Sequence, residues 1–349
     1  MNALSEPWHP EDPNVGTVVL SVVIPLYNEH EVIGLMYERL TSILRDLDLG
    51  YELVLVDDGS QDGTPIAMEG LAGRDPAVTA VFLSRNFGKE AALTAGLAQA
   101  TGEAVIVMDA DLQDPPELIP EMLNAWRRGA DVVGMRRRSR AGETWFKRVS
   151  AHCFYRILNA MSDVDIPTDM GDFRLLSRKA VDALAQLNER NRYMKGLFAW
   201  IGMPTEIIEY DRAPRAAGTT KWDYLSLLSL AFQGITSFSI KPLRIAVGVG
   251  LVTALCGILF TLWIIVKALV LGDPVQGYPS LISMVSILGG VQLLSIGLLG
   301  EYVGKIYYEA KQRPVYLLRR VVRNGSPQDC TESPSMSTKQ WGATRATTH

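Results

Sequence analysis

The chain has 349 residues, a net charge of -4 and a pI of about 5.7. This charge balance lacks the basic excess of nucleic-acid-binding domains, so we expect no nucleic acid among the partners. The three cysteines are odd in number and far apart along the chain. Their number and spacing argue against a disulfide framework and a zinc site and indicate a reducing compartment.

Residues 1–17 are polar and acidic, without the basic and apolar segments of a secretory signal, and we expect a flexible N-terminus there. From residue 18 onward, short apolar runs alternate with stretches of helical spacing. This pattern predicts an α/β domain with a doubly wound, mostly parallel sheet over 18–221. The predicted strands are 18–25, 51–58, 77–84, 104–110 and 131–135. The predicted helices are 29–47, 62–73, 88–100 and 116–129.

Two aspartates, Asp109 and Asp111, follow the fourth predicted strand. In doubly wound sheets, ligands bind beyond the carboxyl ends of the strands. The two carboxylates repel each other unless a cation offsets their charge, and Gln113 supplies a further oxygen. Oxygen ligands suit Mg²⁺ or Mn²⁺, which complete their coordination with substrate phosphates. The alternative is a polar strand end followed by an ordinary turn.

Three other turns carry candidate ligands, each with a structural alternative. Tyr27 can stack on a base, but its turn is also an ordinary helix start capped by Asn28. Asp58 can accept a hydrogen bond from a base or a ribose, but it also fits an Asx turn. Lys89 opens a predicted helix, where an anion is favoured, but a solvated helix start has the same pattern.

Two segments lack charged residues altogether, residues 245–266 and residues 274–300. Each is as long as the roughly 20 residues that a membrane-spanning helix needs. They predict two transmembrane helices at about 243–271 and 279–303, the alternative being a buried hairpin in a large soluble core. Glycines in both segments suit close helix packing, which makes a homo-oligomer plausible.

Basic residues flank these two segments on their outer sides, whereas the loop between them has no Lys or Arg. The flanking residues are Lys241, Arg244, Lys305, Lys311, Arg313, Arg319, Arg320 and Arg323. The positive-inside rule then places the N-terminal domain and the C-terminus in the cytoplasm of a multi-pass protein of the inner or plasma membrane. We expect an interfacial helix at 222–242, or alternatively a last core helix, a basic cytoplasmic segment at 304–323 and a disordered tail at 324–349.

Four motifs, "VVIPLYNE", "LVDDGSQDGT", "SRNFGKEAAL" and "DADLQDPPE", occur in this order. As an ordered set they resemble the nucleotide-sugar half of family 2 glycosyltransferases with the GT-A fold. The later blocks "PTDMGDFRLLSRKA", "RYMKGLFAWIG", "RAPRAAGTTKW" and "LLGEYVGKIYYEAKQRPVY" resemble polyprenyl-phosphate glycosyltransferases. These include dolichyl-phosphate mannose synthases and bacterial bactoprenol glucosyltransferases. The resemblance runs from about residue 18 to 318.

The resemblance implies a role for each matching residue. The nucleotide-sugar ligands would be Pro25, Tyr27, Glu29, Asp58, Lys89 and Asp109. The metal ligands would be Asp109, Asp111 and Gln113. The phosphate and acceptor ligands would be Arg136, Arg148, Arg215 and Lys221, although the "RRRSR" run offers several candidates. The catalytic carboxylate would be Asp169 or Asp172, and the choice between them is open.

The resemblance implies an inverting transfer of a hexose to a polyprenyl phosphate such as undecaprenyl phosphate, with UDP-glucose as the expected donor. GDP-mannose and amino-arabinose donors are alternatives, as is a non-catalytic membrane adaptor with a degenerate transferase domain. A processive polysaccharide synthase is disfavoured because the sequence has no Gln-x-x-Arg-Trp motif and only two predicted spans. A dinucleotide-dependent oxidoreductase is disfavoured because no G-x-G-x-x-G follows the first strand.

Overall fold

The computed structural model describes residues 18–138, 170–187, 189–190, 192–211, 241–271, 277–323 and 326–328. Its chain divides into two compact units. The described residues of the first unit are 18–123, 315–323 and 326–328. The described residues of the second unit are 124–138, 170–187, 189–190, 192–211, 241–271 and 277–314.

The first unit is built on six strands in the order β4-β1-β2-β3-β8-β9. They are β1 (Leu20–Leu26), β2 (Tyr51–Asp57), β3 (Val78–Leu83), β4 (Ala104–Val107), β8 (Leu318–Arg323) and β9 (Ser326–Gln328). Strands β1 to β4 are parallel, and their side chains are almost all buried. Continuous apolar runs are typical of parallel strands that are covered on both faces. The predicted doubly wound, mostly parallel sheet is therefore confirmed.

Helices connect the parallel strands, as the alternating pattern predicts. They are α1 (His30–Arg45), α2 (Thr64–Arg74), α3 (Lys89–Gln99) and α4 (Ile119–Arg127), the last preceded by a 3₁₀ turn at Pro116–Leu118. Helix α1 buries Met36, Leu40 and Leu44 at four-residue spacing. Helix α3 can lie close to the sheet because Gly96 has no Cβ, and a Cβ at this position would collide with Val23.

Strands β8 and β9 come from the C-terminal part of the chain and add an antiparallel edge to β3. Val321 and Val322 are buried, and Arg320 pairs with Glu69 and lies over the ring of Phe82. Because Ser326–Gln328 form β9, the predicted disordered tail at 324–349 is corrected at these three residues, and the rest of that range lies outside the described residues. The stretch of β8 forms a strand although it is basic, because it pairs with β3 and buries Val321 and Val322.

The second unit contains three strands, β5 (Val132–Arg137), β6 (Met170–Ser177) and β7 (Thr205–Tyr210). Strand β5 is antiparallel to β6 and parallel to β7. Helix α5 (Arg178–Ala185) begins where the Ser177 hydroxyl accepts a hydrogen bond from the Ala180 amide at 3.2 Å. Helix α6 (Met194–Trp200) covers Arg174, whose buried guanidinium lies 3.8 Å from the centre of the Phe198 ring.

Two long apolar helices, α7 (Lys241–Leu271) and α8 (Tyr278–Ala310), also belong to the second unit. Both are long and apolar enough to cross a membrane. Helix α8 ends seven residues later than predicted, at 310 rather than 303, because its last turns are charged but still helical. Helix α7 includes Lys241 and Pro242, which precede the predicted start at 243. The remaining part of the predicted interfacial helix, 222–240, lies outside the described residues.

Candidate active site

Beyond the end of β4, a short turn carries Asp109, Asp111 and Gln113, which we call the acidic hook. The Gln113 amide donates to Oδ1 of Asp111 at 3.1 Å. Leu112 has a φ of 56°, a left-handed conformation that is costly for a branched apolar residue. Its side chain is buried, which holds the residue in this conformation. The turn is therefore an ordered feature that presents the Asp109 and Asp111 carboxylates at the strand end.

Lys89 and Asp109 meet across this edge of the sheet. Lys89 is the first residue of α3, and its Nζ lies 2.6 Å from Oδ1 of Asp109. Their side chains are 40% and 29% exposed, respectively, so the pair borders solvent. Two residues that the sequence assigned separately to a nucleotide-sugar site are thus brought together.

The turns after β1 and β2 interlock. The Asn28 amide donates to the Ser60 hydroxyl at 2.9 Å, and the Glu29 amide donates to the Thr64 hydroxyl at 2.9 Å. Asn28 has a φ of 55°, a conformation that asparagine tolerates better than most residues. Tyr27 stays 42% exposed beside this junction. The interlocked turns therefore hold an aromatic ring at the surface near the strand end.

Asp58 is bound into the protein more firmly than the sequence indicates. Its two carboxylate oxygens accept the amides of Phe87 and Gly88 at 2.7 and 2.9 Å. Gly59 lets the two loops approach, because a Cβ there would lie 2.5 Å from the carbonyl carbon of Arg85. Burial raises the pKa of the Asp58 carboxyl, and the two amide hydrogen bonds oppose that shift. Through these two hydrogen bonds, Asp58 fixes the loop that leads into α3.

The oxygen-bearing residue types of the acidic hook are those that a hard divalent cation prefers. Oε1 of Gln113 is buried and has no hydrogen-bond partner among the described residues, so one oxygen donor is left to bind a ligand. Within the described part of the chain, no group of three His, Cys, Asp or Glu residues could hold a metal ion. Two carboxylates and one amide oxygen leave coordination positions for substrate oxygens, which is how Mg²⁺ is commonly bound.

The arginine run at the end of β5 is divided between two faces of the strand. Nε of Arg136 donates to Glu209 at 3.1 Å, which lowers the pKa of Glu209, and Arg138 lies 3.8 Å from the same carboxylate. Arg137 points to the other face, 3.9 Å from the position of a Cβ on Gly171. Its Nε is buried without a hydrogen-bond partner in the described ranges. Arg136 was the residue predicted from the sequence, whereas strand alternation could have separated Arg137 from its neighbours.

The remaining predicted residues are placed only in part. Pro25 lies in β1 and is partly exposed, and Asp172 lies in β6 and is partly exposed. The predicted ligands and the second candidate carboxylate that lie outside the described residues are Arg148, Asp169, Arg215 and Lys221.

Residues 21–185 match the family described as Glycosyl transferase family 2, and residues 241–306 match the GtrB C-terminal hairpin. An uncharacterized glycosyltransferase of Synechocystis is 47% identical over 86% of this chain and 95% of its own length. The chain therefore belongs to glycosyl transferase family 2, which confirms the family that the motifs indicated. The second match covers α7 and most of α8, so the apolar helices are also shared with known relatives.

Other relatives carry more specific names. A prophage-derived bactoprenol glucosyl transferase of Shigella flexneri is 44% identical over 88% of this chain and 99% of its own length. A prophage bactoprenol glucosyl transferase homolog of Escherichia coli is 44% identical over 86% of this chain and 99% of its own. Among solved structures, a glucosyl-3-phosphoglycerate synthase of Mycobacterium tuberculosis with Mn²⁺, UDP and phosphoglyceric acid is 21% identical. It covers 64% of this chain and 77% of that chain, with a TM-score of 0.45.

Proposed function

We propose that this glycosyltransferase transfers glucose from UDP-glucose to a polyprenyl phosphate such as undecaprenyl phosphate, with inversion at the anomeric carbon. The observation that carries the proposal is the 44% identity to a bactoprenol glucosyl transferase over 88% of this chain and 99% of that relative. Alignment over nearly the whole relative supports a shared acceptor as well as a shared transferase domain. The proposed site of reaction is the cytoplasmic face of a bacterial membrane.

The donor would lie at the sheet edge where β1, β2 and β4 end. Tyr27 is 42% exposed and offers an aromatic face to a base. Lys89 offers a cation to the diphosphate and already lies beside the acidic hook. The proposed contacts of the nucleotide sugar are Pro25, Tyr27, Glu29, Asp58, Lys89 and Asp109.

The proposed cofactor is Mg²⁺ or Mn²⁺, held by Asp109, Asp111 and Gln113. When bound, it would act as a Lewis acid on the leaving diphosphate. The protein contributes the ordered turn at Leu112, which keeps the two carboxylates beyond β4. It also contributes a buried amide oxygen on Gln113 for which no hydrogen-bond partner is found among the described residues.

The acceptor phosphate is a nucleophile that needs little activation. Its second pKa is about 6, so it is largely ionised at neutral pH. One of its oxygens bonds to the anomeric carbon while the bond from that carbon to the diphosphate breaks and UDP leaves. Attack from the opposite face inverts the configuration. Asp172 or Asp169 would have one of two roles. It would either take a residual proton or orient an arginine or a sugar hydroxyl.

Cationic side chains would hold the acceptor phosphate by charge-assisted hydrogen bonds. The proposed set is Arg136, Arg148, Arg215 and Lys221. Arg136 would have to leave Glu209 to take part, because its guanidinium pairs with that carboxylate. Arg137 lies beside Gly171, and its Nε has no hydrogen-bond partner among the described residues. We therefore add Arg137 to the proposed set.

The hairpin of α7 and α8 would hold the enzyme at the membrane that carries its acceptor. A polyprenyl chain stays in the bilayer because each buried CH₂ contributes about 0.8 kcal/mol. Strand β8 follows α8 and pairs with β3, so the chain leaving the hairpin returns to the sheet of the first unit. The basic residues at the two outer ends of the hairpin support a cytoplasmic position for those ends.

The test is transfer of labelled glucose by the purified full-length protein. It is incubated with UDP-glucose, undecaprenyl phosphate and Mg²⁺ or Mn²⁺, and lipid-linked glucose is measured together with released UDP. Formation of an alkali-stable, single-glucose lipid supports the proposal. Parallel reactions with GDP-mannose and a nucleotide-linked amino-arabinose identify a different donor. No product with any of these donors would favour the non-catalytic adaptor.

A further inference from the structure

Lys89 forms an ion pair with Oδ1 of Asp109, an oxygen that the proposed metal site needs. Its Nζ lies 2.6 Å from Oδ1 of Asp109, a distance typical of a strong charge-assisted hydrogen bond. An ammonium group and a divalent cation compete for the same lone pairs on that oxygen. In this ion pair, the Lys89 ammonium offsets the charge of the Asp109 carboxylate.

We propose that Lys89 is an exchangeable cation. It neutralises Asp109 in the metal-free enzyme and moves to the diphosphate of the donor when a divalent cation binds the acidic hook. This inference rests on the proposed function and specifies how metal and donor binding are coupled. It assigns Lys89 two successive partners, first a carboxylate and then a phosphate.

The surroundings of Lys89 allow this movement. Its backbone is fixed, because Asp58 accepts the amides of the two preceding residues, Phe87 and Gly88. Its side chain is 40% exposed, and a lysine carries its charge on a flexible four-carbon stem. A fixed anchor with a mobile head can change partners without moving α3.

The charges at the hook predict opposite effects on two ligands. Without metal, Lys89 competes for Asp109 and weakens the binding of a divalent cation. With metal bound, the displaced ammonium is available to the diphosphate and strengthens its binding. Metal and nucleoside diphosphate then favour each other's binding, and Lys89 accounts for part of that coupling.

The test compares the full-length wild type with Lys89→Met in detergent. Binding of Mn²⁺ alone is measured by electron paramagnetic resonance, and binding of UDP to the Mn²⁺-loaded protein by calorimetry. We expect Lys89→Met to bind Mn²⁺ roughly two- to fivefold tighter, the size expected for losing a part-exposed ion pair. We expect the same variant to bind UDP roughly tenfold more weakly, the size of a lost charged hydrogen bond.

Arg85→Met is the matched control, because it removes one positive charge from the same loop. Arg85 lies over the Phe87 ring at 4.1 Å and donates to the Asn86 carbonyl at 2.8 Å. We expect its Mn²⁺ affinity to change less than that of Lys89→Met. Circular dichroism establishes that both variants are folded.

Three outcomes would overturn the proposal. They are an unchanged or weaker Mn²⁺ affinity in Lys89→Met, an equal gain in Arg85→Met, and no Mn²⁺ binding by the wild type. None of these measurements uses a sugar or a lipid acceptor. Failure of this proposal is therefore distinguishable from failure of glucosyl transfer, which the product assay decides separately.

Discussion

At the scale of single residues, the acidic hook concentrates the proposed chemistry in five consecutive positions. Asp109 forms an ion pair with Lys89, and Oδ1 of Asp111 accepts a hydrogen bond from the Gln113 amide at 3.1 Å. The turn is held by the buried side chain of Leu112 in a left-handed conformation. Loss of one carboxylate here should therefore affect metal binding far more than the stability of the fold.

Asp111→Ala is expected to lower glucosyl transfer more than about a hundredfold, because a Lewis acid contributes several kcal/mol to such a step. The thermal midpoint should change little, since Asp111 is partly exposed. Formation of lipid-linked glucose and a thermal unfolding curve measure the two effects. Glu121→Ala, which removes an exposed carboxylate from α4, serves as the control and should retain activity. Near-normal transfer by Asp111→Ala would contradict the proposed role of Asp111 and leave the turn with a structural role only.

At the scale of secondary-structure elements, strand β8 stabilises the first unit. Val321 pairs with Val81 and is 3% exposed, whereas Arg319 on the same strand is exposed. The basic residues of this stretch hide its strand character in the sequence. The strand becomes recognisable only when its partner β3 is known.

Val321→Asp is expected to lower the free energy of unfolding by roughly 3 kcal/mol, because it buries an unpaired charge. Arg319→Asp introduces the same side chain at an exposed position of β8 and should have a much smaller effect. Thermal or denaturant unfolding of the two variants measures the difference. Equal destabilisation by both variants would mean that β8 is not packed on β3 as described.

Helix α1 is tied to the end of α2 by a part-buried hydrogen bond. The Tyr37 hydroxyl donates to Oδ2 of Asp75 at 2.7 Å, and burial and this hydrogen bond raise the pKa of Tyr37 from its ordinary value of 10.0 to about 12. A raised pKa means that the unfolded chain ionises first. The stability from this group is complete below pH 10.0 and is lost as the pH rises towards about 12.

Tyr37→Phe is therefore expected to flatten the decline in thermal midpoint above pH 10. The variant should also be less stable at neutral pH, by roughly 1 kcal/mol for the lost hydrogen bond. Midpoints recorded from pH 8 to 11.5 for both proteins test this. A parallel decline in wild type and variant would show that Tyr37 does not contribute to the alkaline transition.

At the scale of the whole molecule, the apolar hairpin is anchored to the second unit at the end of α8. The Arg190 amide donates to Oε1 of Glu309 at 2.8 Å, and the Arg190 side chain donates to the Arg313 carbonyl at 2.5 Å. Glu309 also raises the pKa of Glu189, after the larger effect of burial. The end of α8 is therefore fixed to the loop before α6 by specific polar contacts.

The proposed topology makes a prediction about labelling in intact cells. With the three native cysteines replaced, a cysteine introduced by Gln276→Cys should react with a membrane-impermeant maleimide from outside, because it lies between the two helices. A cysteine introduced by Arg319→Cys should react only after the cells are permeabilised, because β8 lies in the catalytic sheet. The reverse pattern would place the catalytic domain on the outer side.

Much of this architecture is readable from the sequence because its signals are local. The strands β1 to β4 are continuous apolar runs, and each was predicted within three residues of its observed ends. The ordered motifs indicated the family, which the relatives confirm.

The end of α8 was missed because Glu301 and Lys305 end the apolar run but not the helix. Charge marks where a helix leaves a membrane, whereas helix ends depend on backbone hydrogen bonds.

The sequence by itself determined the α/β class, the apolar hairpin, the family and the residues of the acidic hook. These follow from hydrophobic period, length and short-range motifs. Only the tertiary structure decided that Lys89 pairs with Asp109 and that Asp58 holds the loop before α3. It also placed β8 against β3. These contacts join residues far apart in the chain, and no local pattern specifies which distant partner a side chain meets.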